Sequence, residues 1–241
     1  SVKKGHLIGR GANDMKSSIA AFVSAVSDYL NSNNKFKGSI SLLITGDEEG
    51  DAVNGTKKVV EYLKKKKEKI DFCQVGEPTN PNKLGEMIKI GRRGSMTGKL
   101  TIIGVQGHVA YPQRANNPST ALVKILKELK DIKFDKGTKD FQPTNLEVTK
   151  INIHNTAENV IPGKAEAVFN IRFNNKHTSQ SIKLKLNKIF NKISKKEKSK
   201  FNIDYRVSGE AFLTIPNKTT FMIKDVIKKI TKVTPQLSTT G

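Results

Sequence analysis

Tryptophan is absent from this 241-residue sequence, and cysteine occurs once, at Cys73. A single thiol cannot close a disulfide within the chain, which fits a reducing, cytoplasmic setting. Aromatic residues make up only 6% of the chain, so a base-stacking platform for single-stranded nucleic acid is not expected. No apolar run reaches the length of a membrane span, and no membrane partner is expected. The opening Ser1-Val2-Lys3-Lys4-Gly5 has neither the apolar centre of a signal peptide nor an initiator methionine. Acidic residues are also scarce: 22 Asp and Glu stand against 43 Lys and Arg, a net charge of +21. An excess of this size is compatible with nucleic-acid binding. The lysines are scattered, however, or sit at the ends of expected helices, as in Lys64-Lys65-Lys66-Lys67 and Lys195-Lys196. They read as a solvated surface with no nucleic-acid partner, whose field would favour an anionic small-molecule substrate.

Acidic residues concentrate where they are least easily accommodated. Asp47, Glu48 and Glu49 follow the apolar run 40–44, which reads as a buried strand over 39–45. Unpaired charge at a buried strand end is costly. Two further acids stand in similar settings, Asp14 within Gly9-Arg10-Gly11-Ala12-Asn13-Asp14-Met15-Lys16 and Glu77 within Val75-Gly76-Glu77-Pro78. Acids at several strand ends suggest a shared cation, most simply a metal pair. Each acid taken alone has a plainer role: Asp14 as a helix cap, Asp47 in a turn or cap.

Periodicity places the elements. Met15, Ile19, Phe22, Val23, Val26, Tyr29 and Leu30 recur at helical spacing over 15–31. A second helix is expected over 55–69 and a short strand over 71–75. Alternating strands and helices imply an α/β layer, in which ligands collect at the carboxyl ends of strands. After Arg92-Arg93-Gly94 the pattern changes. Strands over 95–103, 146–153, 165–173 and 201–207 and helices over 118–131 and 179–193 give the order β-α-β-β-α-β, a ferredoxin-like arrangement. A last helix is expected over 219–233. The division expected is therefore 1–93 and 207–241 in one α/β domain, with 94–206 inserted.

The ordered motifs resemble the M20 family of di-zinc amidohydrolases. They are the Gly9–Lys16 segment, Asp47-Glu48-Glu49, Gly76-Glu77-Pro78, Gly91-Arg92-Arg93-Gly94-Ser95, the segment 104–112 around His108, Asn159-Val160-Ile161-Pro162-Gly163, Asn170-Ile171-Arg172-Phe173 and the ending 235–241. The resemblance implies a zinc-peptidase-like catalytic domain carrying an inserted ferredoxin-like (βαββαβ) dimerisation or lid domain, in a homodimer. It implies two zinc ions per subunit of the full-length enzyme, with cobalt as a substitute. Asp14 would bridge the ions, Glu49 and Glu77 would ligate one each, and Glu48 would serve as general base and acid. His108, contributed by the partner subunit, would stabilise the tetrahedral intermediate. Arg92, Ser95 and Arg172 would bind substrate carboxylates, with Tyr111 and Asn159 nearby. The implied activity is hydrolysis of an N-acyl amide, a succinylated diaminopimelate rather than an acetylated amino acid such as acetylornithine. A non-catalytic dimerisation module is the reading from another class.

Plainer roles remain open here. His108 would serve as a loop histidine with a structural hydrogen bond, Arg172 as a sheet-surface ion pair, and Tyr111 as a loop anchor. Arg92 and Arg93 are adjacent and point to opposite faces of a strand, so they are not expected to share one role. The family's glycine after Asp-Met-Lys is replaced by Ser17. Its two zinc-binding histidines have no match: His6 is out of position, and His154 and His177 read as surface residues. The sequence is therefore expected to be an internal piece of a longer enzyme.

Overall fold

The computed structural model describes every residue except Asn34, Asp51, His154 and Gly241. His154, expected at the surface, lies outside the described residues. The chain divides into two compact units, Ser1–Thr79 and Asn80–Gly241.

In the first unit a two-residue ribbon, β1 (Val2–Lys3) with β2 (His6–Leu7), precedes a π-type turn at Ala12–Lys16. Helix α1 (Ser17–Ser32) follows, and α2 (Thr56–Lys65) comes later. Both helices fall where the apolar spacing predicts them. The strands expected over 39–45 and 71–75 do not form. A strand exists only through hydrogen bonds to a neighbour, and neither segment has one among the described residues. Their apolar side chains accordingly face solvent, with Ile44 64% and Val75 68% exposed.

The second unit contains the core. Its centre is a four-stranded antiparallel sheet in the order β10-β5-β9-β7. These strands are β5 (Gly94–Ile103), β7 (Asn145–Asn152), β9 (Lys164–Phe173) and β10 (Lys200–Gly209). Counting only these four, the spatial order is fourth, first, third, second, which is the ferredoxin-like topology expected. Helices α3 (Pro118–Asp131) and α4 (Ser179–Lys196) cover one face. The period-two alternation of the strands decides which side chains meet them. Met96, Leu100, Ile102, Ala165, Ala167, Phe169, Ile171 and Phe173 turn inward against Ala121, Leu122, Ile125, Leu129, Ile182, Leu186 and Phe190. α3 starts on Pro118 with Asn117 as its cap, and α4 starts on a capping box between Thr178 and Ser181.

Smaller ribbons complete this unit. β3 (Met87–Lys89) pairs in parallel with β12 (Gln236–Ser238), and β4 (Gly91–Arg92) pairs with β11 (Phe212–Leu213). β6 (Gly107–His108) pairs with β8 (Val160–Ile161), and α5 (Lys218–Thr231) lies between β11 and β12 in sequence. Among the described residues no helix is long and apolar enough to cross a membrane.

Candidate functional site

The candidate groups fall in both units. In the first, the backbone at Gly76 runs against α1: a methyl group placed there would stand 2.8 Å from Ser18 and Phe22 and 3.2 Å from Met15. That contact puts Glu77 beside Asp14. Asp14 sits in the turn before α1 with non-helical backbone angles and makes no capping hydrogen bond, so the plain capping role does not describe it. Burial pushes the Glu77 carboxyl above its ordinary value. The side-chain hydrogen bond that protonated Glu77 donates to the Asp14 carboxylate and the negative charges of Asp14, Glu48 and Glu49 push it the same way. Carboxylates raise one another's pKa in this way when they crowd together without a compensating cation.

Asp47 behaves differently. Its carboxylate accepts hydrogen bonds from the backbone N–H groups of Val53 at 2.8 Å and Asn54 at 2.9 Å, closing the loop before α2. These bonds, that from Asn54 foremost, hold its pKa below the ordinary value. Its role is the turn, as one of its sequence readings has it.

The acids Asp14, Glu48, Glu49 and Glu77 fit a divalent cation in charge and in donor chemistry, since carboxylate oxygens are proper zinc ligands. Among the described residues, no group of three or more His, Cys, Asp or Glu side chains is assembled closely enough to hold an ion. The Asp14–Glu77 pair is the nucleus of the set, and Glu48 and Glu49 reach it through charge alone.

In the second unit, the His108 cluster is built by the short β6–β8 ribbon. Gly107 is required there by close approach, because a methyl group on it would lie 2.7 Å from Ala115 Cβ. The N–H of Ala110 donates to His108 Nδ1 at 3.1 Å. The neutral ring therefore carries its proton on Nε2 and presents it outward. The Asn159 amide stands 3.5 Å from Nε2, and the Tyr111 ring centre is 6.0 Å from the imidazole. The Arg114 guanidinium lies over the Tyr111 ring at 5.4 Å. His108, Tyr111 and Asn159 are thus brought together, all exposed.

The arginines separate. Ser95 on β5 is directly opposite Arg172 on β9, and Arg172 is directly opposite Asn145 on β7. All three project from the face away from the helices. Arg93 shares this side of the sheet and donates from Nη1 to Asn145 Oδ1 at 2.9 Å and to the Pro143 carbonyl at 3.2 Å. Burial, then the neighbouring charge of Arg172, pulls the Arg93 guanidinium below its ordinary pKa. Arg92 instead belongs to β4, opposite Phe212, and is exposed. Sequence reasoning passed over Arg93. The signal was available, because Arg93 and Ser95 are two residues apart and share a face.

A second polar cluster was also missed. Asp135 accepts from Gly137 N–H and Asn174 Nδ2, both at 2.6 Å, and lies 3.1 Å from His177 Nε2. His177, expected as a surface residue, is in fact partly buried and paired with this carboxylate. The loop before β7 folds over it, which the spacing of the chain did not reveal.

Residues 90–198 match the peptidase dimerisation domain of the M20 type. The whole chain is 78% identical over 241 residues to the succinyl-diaminopimelate desuccinylase of Pelagibacter ubique (strain HTCC1062), covering 63% of that protein. It is 50% identical over 240 residues to the desuccinylase of Parvibaculum lavamentivorans, again over 100% of this chain and 60% of the relative. The chain thus spans somewhat less than two thirds of the length of these curated relatives. Among solved structures, aminopeptidase PepT from Bacillus cereus ATCC 10987 superimposes with a TM-score of 0.74 at 17% identity, covering 100% of this chain and 62% of that one. Human carnosine dipeptidase 1 gives a TM-score of 0.64 at 17% identity, covering 99% and 62%. At such identities these likenesses establish the fold alone. The chain is thus similar over its own length to two curated desuccinylases, and residues 90–198 match the M20-type dimerisation domain.

Proposed function

We propose that this chain is the greater part of a metal-dependent amidohydrolase that cleaves N-succinyl-LL-2,6-diaminopimelate to succinate and LL-2,6-diaminopimelate, a step towards diaminopimelate and lysine. The observation that carries the reading is the 78% identity over 241 residues to a relative named for that reaction. The pairing of Asp14 with Glu77, and the charges of Glu48 and Glu49 near enough to push the Glu77 pKa upward, support it.

In this reading, residues 1–93 and 207–241 are parts of a catalytic domain and 94–206 the inserted domain of a cytoplasmic homodimer. Asp14, Glu49 and Glu77 would hold two zinc ions. Bound zinc would supply Lewis-acid polarisation and acidify water to near neutral pH. Glu48 would take a proton from the attacking water and deliver it to the departing amine, as a carboxylate close to the reacting atoms can. His108, from the partner subunit, would donate its Nε2–H to the oxygen on which negative charge develops. Its hydrogen bond from Ala110 favours that tautomer. Arg172 would bind a substrate carboxylate through the paired geometry that guanidinium offers, with Ser95, Arg92, Tyr111 and Asn159 lining the substrate.

The test uses the longer protein that contains this chain, supplied with zinc and assayed in parallel on N-succinyl-LL-2,6-diaminopimelate and N-acetylornithine. Turnover of the succinyl substrate in preference is expected. A preference for the acetyl substrate, or zinc-loaded protein with no amidase activity, overturns the reading.

A further inference from the structure

We infer that the outward face of α4 is a docking surface for duplex nucleic acid, held through the phosphate backbone without sequence preference. Lysines that look scattered along the sequence are collected here by helical periodicity. α4 carries six lysines and no acid in its 18 residues. Ile182, Leu186, Phe190 and Ser194 are buried. That leaves Lys185, Lys188, Lys192 and Lys195, at steps of three and four, as one exposed row on the other side. At the rise of an α-helix the row is about 15 Å long.

The lysine content of the chain does not by itself account for this row. Its other lysine-bearing helices intersperse acids, Glu61 in α2, Glu128 and Asp131 in α3, and Asp225 in α5. Lys195 complements the carboxyl end of the helix dipole, but Lys185 and Lys188 stand two turns or more before that end, beyond the dipole's reach. Like charges at these spacings repel. Among the described residues, no ion pair joins a lysine of α4 to a carboxylate. Lys185 donates to the Lys133 carbonyl at 3.2 Å and lies over the Phe134 ring at 4.8 Å, both neutral partners. Glu210 accepts from the Ser179 N–H at the first turn, and Glu197 at the other end is paired with Lys124 of α3 at 2.7 Å. A polyanion laid along the row relieves the repulsion and releases its own counterions.

The chemistry selects among polyanions. A second copy of the chain is a poor occupant, because a two-fold contact through this face sets lysine against lysine. The apolar side of α4 is packed in the core, so the helix has no free apolar face to lay into a bilayer. Its one aromatic, Phe190, is also in that core, so unpaired bases find nothing to stack on and a duplex is favoured over a single strand. Ammonium groups hold phosphate as point charges and lack the planar fork that reads guanine, hence the absence of sequence preference.

The test uses the longer protein that contains this chain and a short fluorescent DNA duplex, with anisotropy recorded from about 50 to 200 mM salt. Wild type is expected to bind with log K falling against log salt at a slope of about −4, close to one counterion for each lysine of the row. Lys185→Gln, Lys188→Gln, Lys192→Gln and Lys195→Gln together should flatten the slope by about 3–4 and weaken binding at low salt about tenfold or more. The same four changed to Arg should keep binding. Lys64→Gln, Lys65→Gln, Lys66→Gln and Lys67→Gln together remove equal charge from α2 and its end, and should change the slope by less than about 1. Melting temperatures identify the folded variants to be compared. Absence of binding by the wild type at the lowest salt, equal weakening by the two glutamine sets, or tighter binding to anionic phospholipid vesicles or to poly-glutamate than to the duplex overturns the proposal. Failure of the longer protein to turn over succinyl-diaminopimelate bears on the proposed function alone.

Discussion

His177 places Nε2 3.1 Å from Oδ2 of Asp135, and this pair ties the start of α4 to the loop that leads into β7. Asn174 and Thr144 close the same knot, the backbone N–H of Asn174 donating to Thr144 Oγ1 at 3.1 Å. The network is nearly sealed, with the Asp135 side chain 6% exposed.

That burial has a pH consequence. Burial alone would raise the Asp135 pKa. Hydrogen bonds from the Thr144 hydroxyl, Gly137 N–H, Asn174 Nδ2 and Thr144 N–H more than reverse this and hold it at about 2, against an ordinary 3.8. A depressed folded-state pKa adds stability above the unfolded value, and that stability is lost as pH falls through the folded one. The contribution, on the order of 2 kcal/mol, should be complete near neutral pH and vanish between about pH 4 and 2. Asp135→Asn should lower the urea midpoint at neutral pH, and the gap to wild type should narrow in acid. A gap independent of pH contradicts this account.

Gly98 on β5 lies beneath the Phe169 ring, and a methyl group added there would stand 2.3 Å from the ring's tip. Phe169 is fully buried in a packed cluster and cannot yield freely. Gly98→Ala should destabilise the second unit by about 1–3 kcal/mol through overpacking. Combining it with Phe169→Leu should cost less than the sum of the single changes, because the second change relieves the clash. Denaturant unfolding of the four proteins in the cycle measures the coupling.

Glu48, Glu49 and Glu77 should part company in the longer protein. Glu48→Ala is expected to reduce turnover by about 10²–10⁴ while zinc content stays near that of wild type, because a proton carrier is lost and not a ligand. Glu49→Ala and Glu77→Ala should lower zinc content. Elemental analysis alongside the assay separates the roles, and equal metal loss in all three would show the assignment to be wrong.

His108→Ala should lower kcat in the longer enzyme by about 10²–10³ with a smaller change in KM, as removal of a donor to a developing oxyanion does. If the ring serves only to hold the β6–β8 ribbon through Ala110, melting temperature will fall and kcat of the remaining folded protein will not.

Much of the second unit was legible in the linear pattern. The βαββαβ order and the span of α3 follow from apolar periods of 2 and 3.6, and each is satisfied by neighbours within the same unit. The first unit was legible only in its helices. Residues 39–45 and 71–75 carry a strand's composition, but strand formation is a property of a pair, and neither finds a partner among the described residues. The site divides the same way. Asp14, Glu48, Glu49 and Glu77 could be named from motifs, and so could the residues now seen clustered at His108.

What the sequence determined by itself was which residues carry charge, which faces are apolar, and hence the order and type of the elements around a core. Tertiary structure alone decided that Arg93 accompanies Arg172 while Arg92 does not, that Asp47 closes a loop, and that His177 is paired with a nearly buried carboxylate. These outcomes depend on strand register and on loops folding back from distant positions, and such contacts are set by the three-dimensional packing of many residues, not by the spacing of a few.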